Sequence, residues 1–150
     1  MKIVKHKCFS PDCQERGLFK LESPNEFGFH LWGCQKHAEE ITQKEHHIIL
    51  EIIPVVGMGA TESVGSDSYP YTIIEVSPSE KTIVVQQDIA KPDVGHEYFG
   101  AQKYVYTPNV DANKRTYTLR KNGRWYQKGE SMGYMPLCIG HRRYYSDPSH

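Results

Sequence analysis

Residues 115–128 read RTYTLRKNGRWYQK, and this stretch decides the fold class of most of the chain. Asn122-Gly123 suits a type I′ turn, whose two central positions both need positive φ. Around it stand Thr116, Tyr117, Thr118, Trp125 and Tyr126, which are β-branched or aromatic and favour strands. The expectation is a tight β-hairpin. The flanking sequence repeats the pattern. YPYTIIEV (69–76) and KTIVVQQD (81–88) enclose the turn-like Ser77-Pro78-Ser79-Glu80, a second hairpin. EYFGAQKYVYT (97–107) has strand composition, residues 108–114 read as a loop, and PLCIGHRRYY (136–145) reads as a last strand with its exit. Cys138 is expected in the core of that strand. Short strands at close spacing with little helix between them argue a small antiparallel β-barrel or sandwich.

Further upstream, residues 57–68 are rich in Gly, Ser and small polar side chains, so they read as a loop and as the domain boundary. Gly57-Met58-Gly59 lacks the GK[ST] of a phosphate loop and reads as a turn. The chain divides on this reading into residues 1–56 and residues 57–150, an α+β protein that is mostly β. Before the boundary, Ile48 to Ile53 form a β-branched apolar run expected as a buried strand, with Pro54 at its end.

The N-terminal module is organised by cysteine. Cys8 and Cys13 bracket a Ser-Pro-Asp turn, and Cys34 and His37 stand three apart where a helix-forming run, about Gln35 to His46, begins. That spacing places Cys34 and His37 on one face of the first helical turn. GLFKLE (17–22) and EFGFHLW (26–32) form a hairpin between the two pairs. His46-His47 at the end of the helix complements its dipole. Four thiolate and imidazole groups in two short pairs suit a closed tetrahedral Zn2+ site of structural type. The alternatives are three ordinary free cysteines, or His6 or His30 in place of His37. The order of knuckle, hairpin and helix resembles a treble-clef zinc finger over about residues 6–47. That resemblance makes Cys8 and Cys13 the knuckle ligands and Cys34 and His37 the helix ligands. The gap of four between Cys8 and Cys13 exceeds the usual two.

Mean hydropathy is −0.62, and no stretch has the roughly 18 apolar residues of a membrane helix. The opening MKIVKHKCF has no long apolar run after it, so no export signal is expected and the cytoplasm is the expected compartment. There, clustered cysteines hold metal more often than they form disulfides.

The formal net charge of zero conceals an asymmetry. Residues 1–100 carry 9 Lys or Arg and 15 Asp or Glu, whereas residues 101–150 carry 9 basic and 3 acidic residues. An anionic partner on the C-terminal half follows from that split. Arg115, Arg120, Lys121 and Arg124 are interleaved with Trp125, and Arg142 and Arg143 precede Tyr144. Arginine forks onto phosphate and aromatic rings stack on bases, so these residues are candidates for binding a nucleotide or nucleic acid. The competing reading is a solvated hairpin whose cations protect an edge. No hydrolase or nucleotide-cleaving motif is present, and Cys138 and His141, three apart in a strand, fall on opposite faces.

The phrases GSDSYPYTIIEVS, TYTLRKNGRW and IGHRRYYSDP resemble small bacteriophage and prophage proteins of unknown function, over about two thirds of the chain. The resemblance implies a small phage β-protein in a host cytoplasm, with inhibition of host defence as one role. A cyclic-nucleotide sponge of that kind needs a discrete pocket, and a homo-oligomer would supply one. The expectation is therefore a non-enzymatic binding protein for a phosphate-bearing ligand. A DNA- or RNA-binding accessory protein and an adaptor that inhibits a host protein are the alternatives.

Overall fold

The computed structural model describes residues 6–23, 30–45, 48–93, 104–130 and 135–145. His46, His47 and parts of the expected strands at 26–32 and 97–107 lie outside them. The chain separates into two compact units, 1–53 and 54–150.

In the first unit, β1 (Phe19–Glu22) pairs antiparallel with β2 (His30–Gly33) and with β3 (Ile48–Ile52), giving the order β2-β1-β3. Helix α1 (Gln35–Glu45) packs on β1 and β2. The Cys34 carbonyl accepts the first helical bond from the Ala38 amide at 2.9 Å. The apolar centre is small: Phe19, Leu21, Ala38 and Ile53. Strand β3 is not buried as expected. It is a sheet edge, and Ile49 and Leu50 are 46% and 45% exposed. A β-branched run reports strand preference, and burial on both faces needs a layer on each side, which an edge of three strands lacks.

The second unit contains β4 (Gly59–Val64), β5 (Asp67–Val76), β6 (Thr82–Pro92), β7 (Tyr104–Pro108), β8 (Lys114–Leu119), β9 (Trp125–Gln127) and β10 (Cys138–Ile139). The strand order is β10-β4-β5-β6-β8-β9, all antiparallel. The Leu137 amide donates to the Trp125 carbonyl at 2.8 Å, which ties the last strand back to the segment entering β10. The sheet is thus a nearly closed barrel, the arrangement that leaves fewest open edges. Cross-strand rungs set its interior: Ile139 beside Ala60, Ala60 beside Tyr71, Ile73 beside Val85, and Ile83 beside Tyr117. All of these are buried, as are Trp125 and Leu137. Beyond the barrel, residues 88–92 of β6 pair with β7 as a two-stranded arm. The C-terminal segment straps the outside. Gly140 donates to Gly59, and Ser68 and Tyr145 exchange two backbone bonds.

Three local expectations are corrected. Residues 57–68 are not a loop: they hold β4 and its tight turn into β5. At Gly59 a small residue is needed because the strap lies close. A Cβ on Gly59 would stand 2.6 Å from Cγ of Arg142. The two compact units divide between Ile53 and Pro54, three residues before the division at 56/57 read from the sequence. The hairpin at 115–128 forms, but not through a type I′ turn. Only Gly123 has positive φ there, +80°. Gly123 donates to the Arg120 carbonyl, and Arg120 donates to Arg124, both at 3.0 Å. This is a type I turn closed by a glycine bulge, and Asn122 serves it by accepting from the Arg124 amide at 3.0 Å. Cys138 is exposed, with Leu137 and Ile139 buried on either side. The two-residue period of a strand makes one position decide inward or outward.

Candidate metal centre and ligand surface

The metal centre is built by local structure at two places. Between Cys8 and Cys13, the Cys13 amide donates to the Ser10 carbonyl at 3.1 Å, closing a turn with Pro11 at its second position. Proline fixes φ for that position. The turn bends the four-residue gap so that both sulfurs face the helix start. The Phe9 amide donates to the Trp32 carbonyl at 2.7 Å, holding the knuckle to β2. Cys34 precedes α1 and His37 lies in its first turn.

The ligand atoms of Cys8, Cys13, Cys34 and His37 all lie within 4.8 Å of one another. Sγ of Cys13 and Cys34 are 3.9 Å apart, and Nδ1 of His37 is 3.3 Å from Sγ of both Cys8 and Cys34. Tetrahedral zinc bonded at its usual lengths would set sulfurs about 3.8 Å apart and sulfur about 3.6 Å from nitrogen. A disulfide would need about 2.05 Å. The donor set therefore fits a metal ion of the tetrahedral thiolate class. Burial would push the Cys8 thiol up. Hydrogen bonds from the Cys34 and Ser10 backbone, and from the Cys34 and His37 side chains, outweigh it and bring Cys8 down to about 7. A ready thiolate is what a metal requires. Burial raises Cys34, partly opposed by the His37 amide, while the neighbouring Cys8 and Cys13 add to the rise. The two rival histidines are engaged elsewhere. His6 stacks on Trp32 with ring centres 3.8 Å apart, and His30 faces Glu22 at 3.8 Å.

The basic residues of the second unit divide into committed and open groups. Arg115 donates from Nη1 to Glu62 at 3.0 Å, and Glu62 also accepts from the Tyr71 hydroxyl. Burial, followed by Glu62, raises the Tyr71 hydroxyl well above its ordinary range, so it stays a donor. Arg142 donates from Nε to the buried Asp88 at 2.9 Å, and from Nη2 to the Gly57 carbonyl and the Thr72 hydroxyl. Arg120 donates to Thr118 Oγ1 at 2.9 Å and to the Glu130 carbonyl at 3.0 Å. Trp125 is buried beneath the hairpin, so its ring is not an exposed stacking platform. Lys121 and Arg124 in the turn, and Arg143 in the strap, are the candidate cations whose side chains have no partner among the described residues. Glu62 and Asp88, which occupy two of the arginines, were not legible as partners, because 53 and 54 residues separate them from Arg115 and Arg142.

Tyr144 gains neighbours that the sequence reading missed. Its ring lies 4.8 Å from that of Tyr104 on β7 and 6.4 Å from that of Tyr69 on β5, both edge-to-face. The Tyr106 hydroxyl meets the Tyr144 backbone, and its pKa is raised by burial with Tyr104 adding to the rise. Four tyrosines thus gather around the strap next to the open cation Arg143. The sequence clue is the tyrosine spacing in YVYT (104–107), which by itself shows only strand composition.

No family model, curated protein or solved structure matches the chain, so the resemblances to treble-clef fingers and to phage proteins gain no support from relatives. Among the described residues, no helix is long and apolar enough to cross a membrane.

Proposed function

We propose that the chain is a zinc-stabilised, non-enzymatic binding protein whose ligand bears phosphate, a nucleotide or a nucleic acid. The reading rests on one observation: Tyr69, Tyr104, Tyr106 and Tyr144 gather beside Arg143, whose side chain has no hydrogen-bond or ion-pair partner among the described residues. Base–aromatic stacking contributes about 1–3 kcal/mol per base and tolerates any base, because every base has a π-face. Arg143 supplies forked donors for phosphate. Lys121 and Arg124 offer a second cationic point on the hairpin turn. Zinc is the ion proposed for the Cys3His set because a closed thiolate–imidazole tetrahedron suits it, and its part is to fold the first unit.

Fluorescence anisotropy with labelled nucleotides and short single-stranded oligonucleotides tests the reading. Arg143→Glu and Tyr144→Ala should each weaken binding by about tenfold or more. For an oligonucleotide, affinity should also fall steeply with salt. Absence of binding to every nucleotide and oligonucleotide would remove the reading and leave the protein-protein adaptor in its place.

A further inference from the structure

Arg115 and Asp111 line one cavity of about 280 Å³ without pairing with each other. Tyr71, Gln87, Ala112 and Asn113 complete its wall. It is a depression open to solvent with a mostly polar wall, and its volume, just below the roughly 300 Å³ at which small-molecule pockets begin, has room for one flat ring lying partly exposed.

The wall is built on rigid elements. Tyr71 and Gln87 are direct cross-strand neighbours on β5 and β6, and Arg115 faces Val85 on the adjacent pair. The Arg115 guanidinium is held from three sides. Glu62 accepts from one nitrogen, the Tyr117 side chain hydrogen-bonds to it, and the Tyr71 ring lies 5.9 Å from the guanidinium carbon. Of its five N–H donors, those not used by Glu62 and Tyr117 are left for a ligand. The opposite wall, loop 109–113, is fastened as well. The side-chain amide of Gln86 donates to the carbonyls of Val110 and Ala112, at 3.2 and 2.8 Å. By contrast, the side chains of Gln87, Asp111 and Asn113 have no hydrogen-bond partner among the described residues. Polar groups converging on a cavity with unused capacity are what a binding site provides.

The charges choose the ligand. The lining holds one cation, Arg115, and one carboxylate, Asp111, and Glu62 outside the lining already pairs with Arg115, so no net positive charge is left for an anion. A phosphate, or the carboxylate of a free amino acid, would set another anion against Glu62 and Asp111. A neutral ring with acceptors on one side and donors on the other meets no such penalty. Guanine has that pattern: O6 and N7 accept from an arginine fork, and N1–H with the 2-amino group offers two donors to a carboxylate. Adenine presents a donor and an acceptor in place of the O6/N7 pair.

We infer that this cavity is a base pocket for guanine, with Arg115 on the O6/N7 edge and Asp111 on the N1–H and 2-amino edge. The inference rests on the nucleotide reading above and narrows it: the base enters the cavity, and the phosphate remains outside on the cationic surface. Tyr69 lies two residues from Tyr71 on the same strand, about 7 Å along it. The cavity and the tyrosine cluster therefore share β5.

The test is calorimetric titration of the full chain with GMP, AMP, guanosine and adenosine, repeated on Asp111→Asn. Asp111 is in an exposed loop, and an unchanged melting temperature will show that the variant is folded. The expected result is GMP and guanosine binding about tenfold or more tighter than AMP and adenosine, with the preference erased in D111N. GMP and AMP binding equally, with no response to D111N, would overturn the base pocket and leave the nucleotide reading standing. Guanosine binding as tightly as GMP, in a D111N-sensitive way, would keep the pocket and remove the phosphate surface. No binding of any of the four would overturn both.

Discussion

The two units solve the same problem by different means. Among the described residues, the first unit encloses four apolar residues and gathers four side chains able to hold a metal ion. The second encloses Tyr71, Ile73, Ile83, Val85, Tyr117, Trp125, Leu137 and Ile139 inside a nearly closed sheet. Burial of a large apolar side chain contributes about 1.5–3 kcal/mol, and among the described residues the first unit buries three such side chains, Phe19, Leu21 and Ile53, against the eight named in the barrel. Segments of that size commonly need a staple. The proposed zinc would make the first unit's fold metal-dependent while the barrel's core needs no metal. It also makes the origin of each unit's stability experimentally separable.

The largest effect is expected from the metal. Structural zinc contributes an apparent 10–16 kcal/mol in small zinc modules. Cys34→Ser, or treatment with a chelator, should therefore unfold the first unit while the barrel keeps its own thermal transition. Scanning calorimetry, with elemental analysis for the metal, reads both. A second change acts only on the barrel. Arg142→Ala leaves the Asp88 carboxylate buried without its cation and should cost about 3 kcal/mol, seen as an earlier barrel transition with metal content unchanged. Gly123→Ala is smaller. The turn needs φ near +80° at that position, and an L side chain there costs about 1–2 kcal/mol, measurable by urea titration. Arg143→Glu should leave both transitions where they are and change only ligand affinity. If it destabilised the barrel, the strap would be structural at that residue and not an open ligand surface.

The sequence shows local relations well and long-range ones poorly. The metal ligands were legible because each pair is set by one turn of chain, a knuckle for Cys8 and Cys13 and a helix start for Cys34 and His37. The arms of the two barrel hairpins were legible from β-branched and aromatic runs. Positions that depend on one residue of register were not, as Cys138 shows. Nor was β4, whose Gly59 answers to a side chain 83 residues away, at Arg142. The clearest case is the basic surface. Counted along the chain, Arg115, Arg120 and Arg142 formed a phosphate-binding set. In space, Glu62, Asp88 and backbone carbonyls pair with their charges, leaving only part of the Arg115 fork for a neutral ligand, and among the described residues the open cations are Lys121, Arg124 and Arg143. Charge composition records what is present, and only the fold records what has been used.

The most direct test of the two-unit account is amide hydrogen exchange, followed by mass spectrometry, on the full chain with and without a zinc chelator. The account predicts that chelation removes protection across β1, β2 and α1 and leaves β4, β5, β6 and β8 protected as before. Protection in the first unit that survives complete metal removal would contradict it, as would a simultaneous loss of protection in the barrel.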